Sequence, residues 1–199
     1  MAFLHLDKSM RIQITSSAPD YSSVLSTADL KQHLRVTHNV EDALIGSLRD
    51  AACMWVEGYT NSKLHTTTAV GYLRGFHRTA FAVGPVTAIS SVKYQTTSST
   101  ADADLTTMAA GNFYTDFAAQ PAVIAFVDAP GVYDYSHYPV HIAFTYGYAT
   151  PPEPMVHAVR LLAAHFYENR QQVITGTIST QIKMGIEALL SQYRNILQP

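Results

Sequence analysis

The sequence predicts an α+β fold: a small helical bundle from N- and C-terminal helices, with a β-rich insertion of antiparallel strands between them. Three observations carry this. Apolar residues recur at helical spacing in residues 26–62 and again in 151–199. Between them, over 63–150, Thr, Val, Tyr, Phe and Ala dominate, punctuated by Gly and Pro, which is strand and turn chemistry. Within that middle, Val140, Ile142, Phe144 and Tyr146 alternate with His141, Ala143 and Thr145, as in a strand with one buried face.

Residues 1–25 read as a strand and loop arm. Met10–Thr15 alternates like a short strand, and Ser16–Ser23, with Pro19, reads as loop. Ser26-Thr27-Ala28-Asp29 predicts a helix start with an acid three residues after the cap, and a short helix over Ala28–Leu34. Asn39 is the expected cap of a second helix, Val40 to about Tyr59, with Glu41 and Asp42 well placed against the helix dipole. Its expected core stripe is Leu44, Leu48, Ala51, Ala52, Trp55 and Tyr59. Cys53 then falls nearly opposite, with Arg49, Asp50 and Glu57, and Asn61 is the expected stop.

Strands are expected near Thr67–Phe76, Ala80–Val83, Ala88–Gln95, Asn112–Thr115, Ala122–Phe126 and Val140–Tyr146. Gly84-Pro85 separates the second from the third, and Thr96–Asp104 and Ala129–Pro139 are loops. Pro154 suits the first turn of the next helix, which runs to Arg170. Its expected core stripe is Met155, Val159, Leu162, Ala163 and Phe166; the other side carries His157, Ala158, Leu161, Ala164 and His165. A helix so apolar or small all round should be covered on two sides. An almost uncharged Thr/Ser/Gln/Gly linker, 171–183, follows. The last helix begins near Gly185, with Ile186, Leu189, Leu190, Tyr193 and Leu197 as its stripe.

Charged residues make up only 14% of the 199-residue chain, against about a quarter in an average protein. Either subunit contacts cover much of the surface, or it is rich in Thr and Ser. The formal net charge of −2 and the lack of any basic run argue against a dedicated nucleic-acid binder. The single cysteine, Cys53, excludes an intrachain disulfide. No stretch is long and apolar enough to span a bilayer, and the first residues lack the pattern of a signal peptide, so the expectation is a soluble protein made in the cytoplasm.

Catalytic signatures are missing. The nine histidines form no metal motif; His157 and His165, eight residues apart, are too far along a helix to chelate one ion. There is no nucleophile elbow, and Gly71-x-x-x-Gly75 lacks the lysine of a phosphate loop. Cys53 reads as a helix cysteine touching a neighbouring element or subunit. Tyr133, Tyr135 and Tyr138 crowd one loop, which is either a protein interface or a cap over the β core. No enzyme activity, cofactor or metal is expected.

The run Ala164-His165-Phe166-Tyr167-Glu168-Asn169-Arg170, then Gly176, then Gly185-Ile186-Glu187-Ala188-Leu189-Leu190 with Tyr193-Arg194, resembles the head–tail connector (adaptor, or head-completion) family of tailed bacteriophages. Leu25–Val36, Glu41–Thr60 and Pro85–Tyr94 resemble its two early helices and the strand opening its β insertion, in the same order. The least similar part is Thr96–Pro139.

The resemblance implies a structural virion protein at the head–tail interface, synthesised in the host cytoplasm. It implies a homo-oligomeric ring of about a dozen copies beneath the portal protein. That ring would extend the DNA channel, passing DNA without sequence-specific binding, and dock the next neck or tail protein. The C-terminal helix would face the portal, the helical layer would make ring contacts, and the β insertion would project outward or tailward. Together the residues and the resemblance give a candidate subunit or portal interface of Leu161, Ala164, His165, Leu189, Tyr193, Cys53, Tyr133 and Tyr135. The alternatives are another neck component, a stopper or tail-completion protein, and, from a different class, an enzyme or ligand-binding β domain using the Tyr/His-rich loops.

Overall fold

The computed structural model describes residues 10–16, 19–170 and 185–196. The expected linker 171–183, Leu197 and the first nine residues lie outside the described residues. In chain order the elements are β1 (Arg11–Ile14), α1 (Thr27–Leu34), α2 (Asp42–Thr60), β2 (Thr67–Leu73), β3 (Thr79–Ala80), β4 (Val86–Tyr94), β5 (Thr106–Thr107), β6 (Phe113–Asp116), β7 (Val123–Phe126), β8 (Val140–Tyr146) and α3 (Glu153–Glu168). Residues 185–190 are helical, and a 3-10 turn, Ser191–Tyr193, follows. The architecture is mixed α+β with antiparallel sheets, as the sequence predicts. The chain forms two compact units: residues 18–65 with 148–194, and residues 1–17 with 66–147 and 195–199. The expected arm of residues 1–25 is thus divided between them, β1 lying in the second unit and Tyr21 and Leu25 in the core of the first.

The first unit is helical. Ser26 caps α1 as its sequence predicts: Asp29 N donates to Ser26 Oγ at 3.0 Å, and Ser26 Oγ donates to Asp29 Oδ2 at 2.6 Å. Asn39 does not cap α2; Glu41 holds the cap position without a side-chain bond. Asn39 Oδ1 instead accepts from Lys31 Nζ, which also reaches Asp42 Oδ1 at 2.7 Å. Asn61, in the left-handed conformation, ends α2 as expected.

The buried face of α2 differs from the expected stripe. It is Ile45, Arg49, Ala52, Cys53, Val56, Glu57 and Thr60, while Leu44, Leu48, Trp55 and Tyr59 are half-buried and Ala51 is exposed. Arg49 and Glu57 can go inside because partners meet them there. Arg49 donates to Leu25 O and pairs with Asp50 Oδ1 at 2.8 Å. Ile45, Val56, Leu30, Met155, Val159, Ile186 and Leu190 form the common core. Each such side chain contributes about 1.5–3 kcal/mol on burial.

The second unit holds two antiparallel sheets, in the orders β1-β2-β8-β4-β5 and β3-β7-β6. Ala69, Leu73, Val140, Ile142, Phe144 and Tyr146 point from β2 and β8 into its core, so the alternation read from the sequence is the observed one. Phe81 meets Phe144 edge-on at 4.8 Å, and Phe76 meets Phe126 at 5.1 Å. Such ring pairs add about 0.5–1.5 kcal/mol beyond their burial. Strand β4 carries register shifts between Val86 and Ala88 and between Ile89 and Ser91.

Candidate assembly interface

The eight residues expected at an interface fall in four settings. On α3, Met155, Val156, Ala158, Val159, Leu162 and Ala163 are buried in the chain's own core. Ala158 therefore belongs to the inner face, not the outer one, because the buried arc is wider than the expected stripe and takes in Val156 and Ala158 as well. Leu161 is 36% exposed, and Ala164 and His165 are half-buried beside it. Leu161, Ala164 and His165 form an uncharged strip on the outer face of α3, which also carries the Arg160–Glu153 ion pair and Glu168. Asn169 closes the helix, its N and Nδ2 both donating to His165 O at 3.0 Å.

The end of α3 is fastened to the start of α2. Glu41 Oε2 accepts from Tyr167 Oη at 2.5 Å, and Glu41 Oε1 accepts from Arg170 Nη2 at 2.8 Å, while the Arg170 guanidinium lies 4.5 Å over the Tyr167 ring. The Tyr167 hydrogen bond, then Arg170, hold the Glu41 carboxyl below its ordinary value of 4.5. Tyr167 and Arg170 stand in the family-like run of α3, and their partner lies more than a hundred residues upstream, where no local signal reveals it.

Leu189 and Tyr193 pack, half-buried, against the helical core. Neighbouring residues make a layered aromatic seam. Trp55 and Tyr59 stack at 5.4 Å, and Arg194 lies 4.9 Å over the Tyr59 ring while its Nε donates to Tyr59 O at 3.2 Å. Part of each side chain, Leu189 and Tyr193, is thus already engaged within the chain.

Cys53 is corrected. It is 0% exposed inside the helical core, so it faces no partner. Burial, and then the Glu57 carboxylate, push its thiol up to about 12.

Glu57, expected on the side of α2 away from the core, is instead the buried polar centre of the helical unit. It accepts from Tyr21 Oη at 3.0 Å, from Lys63 Nζ at 2.5 Å and from Leu64 N at 3.0 Å, with His65 Nδ1 at 3.4 Å. A carboxylate just before a predicted helix stop, with a lysine six residues on, is the only local hint.

Tyr133 and Tyr135 sit in the loop between β7 and β8, their rings 5.6 Å apart. Tyr133 N donates to Gln95 O at 2.8 Å and anchors the loop on the end of β4; Tyr135, by contrast, is 90% exposed. The loop is therefore tied to the β unit at one tyrosine and open at the other.

Two open depressions are lined by polar groups. One, of about 330 Å³, lies among Asp29, Gln32, His33, His157 and Arg160. The other, of about 320 Å³, lies on the outer face of the larger sheet, among Tyr72, Lys93, Asp102, Leu105 and His141. Burial is the main cause that lowers the His141 pKa. Among the described residues no group of three or more His, Cys, Asp or Glu is placed to hold a metal ion, and no helix is long and apolar enough to cross a membrane.

No family model matches the chain, and comparison with curated proteins returns no match. Solved structures do match. A chain in the neck of an empty gene transfer agent (GTA) particle, computed with C6 symmetry, superposes with a TM-score of 0.73 at 24% identity, covering 95% of this chain and 97% of that one. The chain shares its fold with a component of a gene transfer agent neck. A chain in the neck of the native GTA particle computed with C12 symmetry gives a TM-score of 0.69 at 22% identity, over 95% and 97% of the two chains. A chain in the virion of the native particle gives 0.68 at 22%, over 94% and 97%.

Proposed function

We propose that this chain is a structural neck protein of a tailed-phage-type virion, and specifically a head–tail connector (adaptor). It assembles as a closed ring beneath the portal, continues the DNA channel and docks the next neck or tail protein. The observation that carries this is the whole-length similarity to a GTA neck chain, both units included. The ordered resemblance of residues 25–194 to connector proteins supports the same reading. The C6 and C12 symmetry of those necks favours a ring of about a dozen copies. A net charge of −2 suits a channel through which DNA slides without sticking. The role is architectural, with no reaction and no cofactor.

The partner-facing positions in this reading are Leu161, Ala164 and His165 on α3, the outward parts of Leu189 and Tyr193, and the Tyr133/Tyr135 loop. Cys53 is not among them. The test is reconstitution with the portal protein, followed by native mass measurement and negative-stain imaging. A ring that binds portal directly supports the adaptor. Binding only after another neck protein has been added indicates a stopper or tail-completion protein. A strictly monomeric chain that never joins portal overturns the reading.

A further inference from the structure

Among the described residues the β unit has four sheet edges. Two are β3 and β5, strands of two residues each, short enough to resist pairing. The other two are β1 and β6, each four residues long, and no described strand pairs with their outer sides. An edge strand with free backbone groups is a template for another strand.

The directions of those groups follow from the ladders. Thr15 N donates to Thr68 O at 3.0 Å, so alternation turns the backbone groups of Arg11 and Gln13 toward β2 and those of Ile12 and Ile14 outward. Val127 N donates to Asn112 O at 2.8 Å, so Tyr114 and Asp116 bond toward β7, and Phe113 and Thr115 turn outward.

An antiparallel pairing of β1 with β6 must therefore join Ile12 or Ile14 to Phe113 or Thr115. One register uses all four: Ile14 opposite Phe113, and Ile12 opposite Thr115. The same register sets Gln13 opposite Tyr114 and Arg11 opposite Asp116. Opposite residues share a face. Here Ile12 and Phe113 both pack against the β core, while Arg11, Gln13, Tyr114 and Asp116 are exposed, so inner faces meet inner and outer meet outer. The register also brings together opposite charges. Ile14, 51% exposed, would be covered by Phe113, and Tyr114, 66% exposed, by Gln13. Asp116 Oδ1 accepts from Ala118 N and Ala119 N at 3.0 and 3.1 Å, which holds its carboxylate in place.

We infer that β1 of one copy pairs antiparallel with β6 of the next copy, joining the five-stranded sheet of one subunit to the three-stranded sheet of its neighbour. Each copy offers one strand of each kind, so the contact is heterologous and propagates around a ring. The inference rests on the ring reading above and places a seam in the β unit, in addition to the helical surfaces.

The test mixes two full-length proteins, Gln13→Cys and Tyr114→Cys, each carrying one introduced cysteine besides the buried Cys53. Mixing ensures that any bond joins different molecules. This is a non-hydrogen-bonded pair, whose Cα spacing of about 4.5 Å suits a disulfide. Mild oxidation is expected to give a cross-linked dimer from the mixture and none from either protein alone. Gln13→Cys mixed with Asp116→Cys, two residues out of register, is expected to stay at background. Charge reversal adds a second arm: Arg11→Glu with unmodified Asp116 loses the seam, and Arg11→Glu with Asp116→Lys regains it, with thermal melts confirming that each variant folds. Rings seen by native mass without the in-register cross-link overturn the seam and leave the ring reading standing. A chain that stays monomeric with and without portal overturns both.

Discussion

The helical unit and the β unit are stabilised differently. The helical unit takes charge into its interior: Glu57 and Arg49 are buried, and each is met there by hydrogen-bonding partners. The β unit keeps its core apolar and aromatic, around Phe81, Phe144, Ile124 and Ile142, and its charges stay at the rim, as with the exposed Asp102 carboxylate paired to Lys93. A buried carboxylate with three donors fixes geometry at the risk of a large penalty when one partner is lost. An apolar core responds chiefly to volume. The first unit should therefore fail through its polar partners and the second through cavities.

Phe144→Ala is the strongest test of the β side. It empties the contact with Phe81, and an expected loss of about 3–5 kcal/mol should appear in urea denaturation. Glu57→Ala is the corresponding break on the helical side. Tyr21 Oη, Lys63 Nζ and Leu64 N lose their acceptor together, and about 3 kcal/mol should be lost. If Glu57→Ala proved nearly neutral while Phe144→Ala did not, the contrast between the units would collapse.

Ser26→Ala removes one capping bond from α1 and should cost about 1 kcal/mol by the same assay. Arg194→Ala removes the guanidinium from the Tyr59 ring and should cost about 0.5–1 kcal/mol.

The pH response sharpens the contrast further. The folded Glu41 carboxyl lies below its ordinary 4.5, so its contribution is present above that value and is lost as pH falls through the folded value. Arg170→Ala should flatten acid destabilisation in that window. Cys53 has the opposite sign. Its thiol is raised from 9.0 to about 12, so the unfolded chain ionises first and stability falls as pH rises across that range. In the native state Cys53 should resist a thiol reagent and react only on unfolding.

Much of the fold was legible in the sequence because its signals were local. Ser26 with Asp29 marked a cap, and Val140–Tyr146 marked a strand by strict alternation. The inner face of α2 was misread because its apolar residues spread round the helix, and Leu44, Leu48 and Trp55 drew the stripe toward themselves. What turned Arg49 and Glu57 inward was Leu25 O, Tyr21 and Leu64 N, which no spacing along α2 reveals. Cys53 followed the same error from the surface to the core. The candidate site was less legible than the fold. The Tyr loop and the outer face of α3 could be picked out by composition, but Glu41 as the partner of Tyr167 and Arg170 could not.

The division of the helical unit between residues 18–65 and 148–194 has a consequence during synthesis. Translation proceeds from the N-terminus at about 5–20 residues per second, and α1 and α2 emerge while all of the β unit beyond β1 has yet to be made. Ile45 and Val56 lack their α3 partners until then, and Ile186 and Leu190 arrive last. The β unit is nearly continuous in the chain and can close while the two early helices wait, on the order of seconds or more, with apolar side chains bare to the ribosome surface and to chaperones.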